Sequence, residues 1–280
     1  MKTLSALFFT MISLSADPIH DFWFNGAEIS SFQLDQSRYG KNHPGHAQLI
    51  FVTEPFLVGK QVKNETGKPG STVVLKLNAL TTFNTGIYSY RTMTSTFRPI
   101  DCREFPHALK SVTSIQDWCG LAFQQLNYRD HCWNAELRSY FENEGDIDLK
   151  LGSGFIEDEL WVTLRLAPDL LPTGELSMLP GAIFTRFSHK PLEFTRAKAE
   201  LSHRNGESVY TLVYPSLART LTLYFDTAFP HVIRKWTEAG PSGTTTAILQ
   251  KRLLNVAYWE MQNPEDAGKR RQLGLDPVAD

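Results

Sequence analysis

Trp133-Asn134-Ala135-Glu136-Leu137-Arg138-Ser139-Tyr140-Phe141-Glu142 sets Trp133, Ala135, Leu137, Ser139 and Phe141 against Asn134, Glu136, Arg138, Tyr140 and Glu142. That register of two puts one side chain set in a core and the other in water only if the backbone is extended, so the stretch reads as a half-buried strand. The same period recurs on both sides of it. Leu75, Leu77 and Ala79 alternate with Lys76 and Asn78, Ile147, Leu149 and Leu151 with Asp148 and Lys150, and Leu221, Leu223 and Phe225 with Thr220, Thr222 and Tyr224. Leu160, Val162, Leu164 and Leu166 alternate with Trp161, Thr163 and Arg165 and are read the same way. Ala47 to Thr53 is apolar on both faces, which places it centrally in a sheet. Thr245 to Tyr258 fits either period, and its first half is read as strand.

Turn chemistry divides these runs at the spacing of antiparallel sheets. Asn205-Gly206 and Asn84-Thr85-Gly86 supply the positive φ of tight hairpins, and Gly59 to Gly70 is a charged surface loop. The expected architecture is all-β: one large, curved antiparallel sheet of about a dozen strands, an open or half barrel, with few helices. The Pro/Gly-rich segment 168–191 reads as a connection within that sheet, with a seam between two lobes as the alternative. A polar tail follows from 263 to 280, and its basic run Lys269-Arg270-Arg271 is read as solvated.

Composition narrows the functional classes. There are 28 Lys+Arg against 30 Asp+Glu, a net charge of −2, with 42% hydrophobic and 12% aromatic residues. Balanced charge removes the sequence-wide case for nucleic-acid binding, and the apolar content excludes a disordered chain. Met1 and Lys2, the apolar run from Leu4 to Leu14 and the small residues Ser13, Ser15 and Ala16 read as a signal peptide over residues 1–16. The apolar run is shorter than the roughly 20 residues of a membrane span, so a mature β-rich domain over 17–262 is expected to be exported, to a periplasm, without a transmembrane segment.

Cys102, Cys119 and Cys132 allow at most one bridge. Cys119 and Cys132, read at neighbouring strand ends, are the candidate pair, beside the alternative of three unpaired thiols. No nucleophile elbow, zinc-protease, P-loop or dinucleotide-binding motif is present. His43-Pro44-Gly45-His46 and His131-Cys132 lack the third ligand that zinc requires, so neither a metal nor another cofactor is assigned. Asp146 and Asp148, and the run Glu157-Asp158-Glu159, are read as solvated carboxylates, with nothing in the sequence to signal a raised pKa.

The most unusual composition lies in Asn84 to Phe97, where Tyr88, Tyr90, Thr92, Thr94 and Thr96 share one face. Tyr and Thr turned inward can line a semi-polar cavity, while the alternative is an exposed Thr ladder. Tyr88, Tyr90, Arg91 and Trp118 are the candidate ligand-binding residues, and no residue is assigned to catalysis.

Phe24-Asn25-Gly26-Ala27-Glu28-Ile29-Ser30-Ser31, Phe83-Asn84-Thr85-Gly86-Ile87-Tyr88, Met93-Thr94-Ser95-Thr96-Phe97, Trp118-Cys119-Gly120 and Arg271-Gln272-Leu273-Gly274-Leu275 together resemble a family of uncharacterised exported bacterial proteins. Members of that family have carried the label of septum formation inhibitor Maf, a nucleotide pyrophosphatase; its Ser-x-Ser-x-Arg-Arg segment and Asp-Thr catalytic string are both missing here. The resemblance implies no activity. The leading expectation is a non-enzymatic envelope protein that holds an apolar or amphipathic, lipid-like ligand, or a partner's extended segment, on a concave sheet face. A hydrolase with dispersed catalytic residues and a structural component of an envelope assembly are the alternatives.

Overall fold

The structure is a computed structural model and describes residues 18–275. The expected signal peptide lies outside the described residues. β1 (Ala27–Arg38) and β2 (Lys41–Leu57) form a long hairpin, and the two-residue β3 (Val62–Lys63) folds back onto the end of β2. β4 (Ser71–Thr85) pairs with β2, and β5 (Tyr88–Pro99), β6 (Lys110–Gln116), β7 (Leu121–Arg129), β8 (Cys132–Ser139) and β9 (Asp146–Leu151) continue outward as a meander. On the other flank, β10 (Phe155–Ile156) runs parallel to β11 (Gly174–Leu179). β12 (Thr195–Arg204), β13 (Glu207–Tyr214), β14 (Arg219–Asp226), β15 (Ile233–Gly240) and β16 (Gly243–Val256) then lead antiparallel back to β1.

The result, among the described residues, is one curved sheet of 16 strands, almost wholly antiparallel, as the alternating pattern predicts. Trp133, Ala135 and Leu137 are buried from β8, and Ala47, Leu49 and Phe51 from the central β2. Asn205 and Gly206 take φ of 52° and 82° in the β12–β13 hairpin, a left-handed pair for which Asn-Gly is the least strained choice. All of 243–256 is strand, which resolves the ambiguous segment.

β9 and β10 are the two ends of the sheet, yet only Gly152 to Gly154 separates them in sequence. The sheet therefore curls until its flanks meet. Leu126, Trp133 and Ala135 from one flank pack with Ile156, Leu179 and Leu192 from the other, and the Trp133 indole N–H donates to the Gly154 carbonyl at 2.8 Å. Side chains, in place of a continuous ladder, bring the barrel-like shape together at this point.

Among the described residues, four short α-helices accompany the sheet: α1 (Pro18–Trp23), α2 (Glu157–Leu166), α3 (Ala182–Phe187) and α4 (Gly268–Gln272). α2 corrects the reading of 160–166 as a strand. It lies inside the curved sheet, where Leu160, Val162 and Leu164 are fully buried and Thr163 and Arg165 are buried on its other faces. A helix enclosed on nearly all sides has no polar stripe, so the 3.6-residue period disappears from its sequence. Each such fully buried aliphatic side chain contributes about 1.5–3 kcal/mol.

Fixed charges hold α2 to both flanks of the sheet. Arg165 donates through two nitrogens to Glu28 of β1 at 2.8 and 2.7 Å, and Arg252 of β16 joins the same carboxylate at 3.0 Å. Glu159 accepts from Arg98 of β5 at 3.1 Å and from His107 at 3.0 Å. Glu157 is gripped bidentately by Arg219 of β14 at 2.5 and 2.6 Å and accepts from the Tyr214 hydroxyl at 2.8 Å. Losing one member of such a pair strands a buried charge, so the helix is tied to its place even where the pairs add little net stability.

The C-terminal segment also has a fixed seat. Leu273 and Leu275 bury themselves with Ala27, Ile29, Val52 and Val256, covering the outer face of the sheet at β1. This explains why the first half of β1 is buried on both faces. Among the described residues, no helix is long and apolar enough to cross a membrane.

Candidate functional site

Between α2 and α3 on one side and β1, β2, β4 and β5 on the other lies a cavity of about 610 Å³. Leu34, Leu49, Leu77 and Trp236 line it from the sheet, and Trp161 and Phe184 from the helices. Its size lies inside the roughly 300–1,000 Å³ typical of small-molecule sites, and its lining has their usual character of apolar walls with a few polar groups. The β1–β2, β13–β14 and β15–β16 turns border it, through Tyr39, Ala218 and Ser242 among others.

α2 supplies acidic groups to the lining. Its first turn carries three successive carboxylates whose side chains diverge: Glu157 goes to Arg219, Glu159 to Arg98 and His107, and Asp158 to the cavity. Asp158 accepts only two long hydrogen bonds, from Ser111 Oγ and from the Ala182 N–H, each at 3.4 Å. Burial, and then the neighbouring charge of Glu157, push its carboxyl up to about 7; the two hydrogen bonds and Arg219 pull the other way without prevailing. Glu157, Asp158 and Glu159 are therefore not the solvated run expected from the sequence. They are a buried ion-pair set around one carboxyl that keeps its proton near neutral pH.

The inward face of β5 supplies the adjoining wall. Thr94 and Thr96 line the cavity, but their hydroxyls are engaged: Thr94 with Thr113 at 2.9 Å, and Thr96 with the Asp158 backbone carbonyl at 3.2 Å.

Nearer the turns, Arg38 is flanked by the rings of Tyr39 and Phe187 at 4.5 and 4.6 Å and donates to the Phe187 carbonyl at 2.5 Å. Tyr39 shares a hydroxyl hydrogen bond of 2.8 Å with Tyr90, and Tyr88 donates to Tyr39 at 3.4 Å. Burial, followed by the hydrogen bonds with Tyr39 and Tyr88, raises the Tyr90 hydroxyl above the ordinary tyrosine value.

The four residues singled out from sequence are placed as follows. Tyr90 is buried, stacked on Phe83 with ring centroids 4.9 Å apart, and it lies under Arg38 behind the cavity wall. Tyr88 is half-buried beside it, 6.3 Å from the ring of Trp118, which is 70% exposed in the β6–β7 turn. Arg91 is exposed on the opposite face of β5. None of the four is on the lining of the 610 Å³ cavity, whose β5 residues are Thr94 and Thr96.

The Cys119–Cys132 pairing is corrected. All three cysteines are free thiols. Cys119 precedes β7, whereas Cys132 pairs with Arg129 at the far end of that strand. Nine residues of strand hold the two about 30 Å apart, several times the Cα separation a bridge tolerates.

The residues that sequence reading missed are Asp158, Trp161 and Arg38. A signal for the first two was present: Glu157-Asp158-Glu159 followed by Arg165 places acids in a first turn and a base in a last turn, the polarity that suits a helix dipole. Nothing comparable marks Arg38.

No family model matches the chain, and no curated protein matches its sequence. Among solved structures it is similar to a beta-barrel-like protein of a domain of unknown function, DUF1849, from Brucella abortus. The TM-score is 0.51 at 8% identity, covering 82% of this chain and 98% of that one. The likeness is one of fold: a large antiparallel sheet curled toward a barrel.

Proposed function

We propose that the protein is an exported envelope protein that binds one apolar or amphipathic molecule of lipid-like character in the cavity beside α2. The observation that carries this reading is the 610 Å³ space itself, walled by Leu34, Leu49, Leu77, Trp161, Phe184 and Trp236. An apolar space of this size that stays unfilled by the protein's own side chains forgoes dispersion contacts, which a bound hydrocarbon restores. A purely structural role gives no reason to leave it. The test is saturable uptake of N-phenyl-1-naphthylamine, a neutral fluorophore that brightens in apolar surroundings. One equivalent per chain, displaced by long-chain alcohols, supports the reading; no saturable signal removes it.

A second reading draws on Asp158, whose carboxyl titrates near neutral pH, the range suited to general acid–base work. In that case Asp158→Asn abolishes a hydrolytic turnover found by substrate screening while fluorophore binding persists.

A further inference from the structure

We propose that Arg38 is the head-group site of this cavity, and that the ligand is a single-chain anionic amphiphile bearing a carboxylate or a phosphate monoester. The proposal rests on the cavity reading above and adds a polarity to it.

Arg38 differs from the other arginines that are buried or half-buried. Arg98 has Glu159, Arg165 and Arg252 share Glu28, Arg186 has Glu144, and Arg219 has both Glu157 and Glu238. Arg38 lines the cavity and, among the described residues, has no carboxylate within ion-pairing distance. Its Nε is buried without a hydrogen-bond partner, as are those of Arg98, Arg186 and Arg252, so the missing carboxylate is what sets Arg38 apart. Arg38 is half-buried, and an anion placed against it supplies both the counter-charge it lacks and a partner for its buried Nε.

The group is already held in position. Tyr39 and Phe187 flank the guanidinium, and the Phe187 carbonyl fixes one terminal nitrogen. A planar donor set restrained by rings and a carbonyl loses little freedom on gripping an oxyanion.

The distribution of charge on the lining points the same way. Of the carboxylates on the lining, Glu157 and Glu238 are both bound to Arg219. The remaining one, Asp158, keeps its proton to about pH 7. Lys190 adds a second cation on the lining. The cavity thus offers an unmatched positive charge beside the β1–β2 turn and apolar walls from Leu34, Leu49, Leu77 and Trp161, which suits an anionic head on an apolar chain.

The test uses one tail with four heads: dodecanoate, dodecyl phosphate, dodecanol and dodecyltrimethylammonium, each below its micelle concentration, displacing N-phenyl-1-naphthylamine from the whole protein. The two anions should displace it at concentrations about tenfold lower than the alcohol or the cation, the scale of one charge-assisted contact. The better of the two anions identifies the head as carboxylate or phosphate. Arg38→Gln should erase the preference while leaving dodecanol unchanged, and Arg38→Lys should keep part of it. Equal displacement by all four heads in the unmodified protein overturns the proposal with the cavity reading intact, as does a preference that survives Arg38→Gln. Failure of every chain, dodecanol included, overturns both.

Discussion

Arg165 and Glu28 meet in the interior as a two-nitrogen, two-oxygen pair at 2.8 and 2.7 Å, with the Arg165 guanidinium also 4.5 Å over the Phe51 ring. The pair joins the end of α2 to the start of β1, elements 137 residues apart in sequence. Burial alone would raise the Glu28 carboxyl, but the charges and hydrogen bonds of Arg165 and Arg252 bring it below the usual carboxylate value. Arg165→Met should cost about 3–5 kcal/mol, because Glu28 then stays buried with Arg252 as its remaining basic partner. The double change Glu28→Leu with Arg165→Met should recover a substantial part of that loss. Urea unfolding of the three proteins checks this, and a double variant weaker than the single one would contradict it.

Asp158 makes the opposite contribution to pH dependence. Its carboxyl binds a proton more tightly in the fold than in the unfolded chain, so the native state carries the extra proton between pH 3.8 and about 7. Stability from this group is fully present below pH 3.8 and is lost as pH rises through about 7. At about 1.4 kcal/mol for each pH unit, the ceiling is on the order of 4 kcal/mol. Asp158→Asn should therefore gain on the unmodified protein from pH 4 to about 7 and level off above that. A stability difference that is flat across that range would show that Asp158 titrates normally.

Filling the cavity should block uptake without unfolding the protein. Ala79 lines the space from β4, and Ala79→Trp projects a large ring into it. The expected result is loss of fluorophore binding with stability changed by no more than about 1–3 kcal/mol, the range of overpacking in a filled core. The half-exposed Leu121 at the start of β7 serves as a control, since Leu121→Ala should leave uptake intact.

Thiol chemistry provides a direct check on the β7–β8 register. Denatured, unreduced protein should titrate with three thiols per chain, with Cys119 the first to react in the native state because it is exposed. Burial raises the Cys102 thiol and slows it further. One thiol per chain would mean that a bridge forms, and its mapping to Cys119 and Cys132 would mean that the ends of β7 are closer than the strand allows.

Much of this architecture was legible in the sequence because half-buried strands advertise themselves. Trp133, Ala135 and Leu137, or Leu221, Leu223 and Phe225, carry a period that only extended backbone uses. On β5 the sequence left an inward Tyr/Thr face and an exposed Thr ladder both open, and Tyr90, Thr92, Thr94 and Thr96 are among its buried residues. What escaped was the helix at the centre, since Leu160 to Leu166 is enclosed and has no face to reveal. The site escaped with it, because Asp158 owes its character to Ser111, Ala182 and Glu157, and Arg38 to Tyr39 and Phe187. Those neighbourhoods are assembled across distant segments, and local residue type does not encode them.

Whether a molecule occupies the cavity is read most plainly by native mass spectrometry of the protein purified gently from its native host. A discrete added mass, retained through washing, released by denaturation and missing from Ala79→Trp, is the predicted result. An unliganded chain that also fails to take up any offered amphiphile would contradict the account.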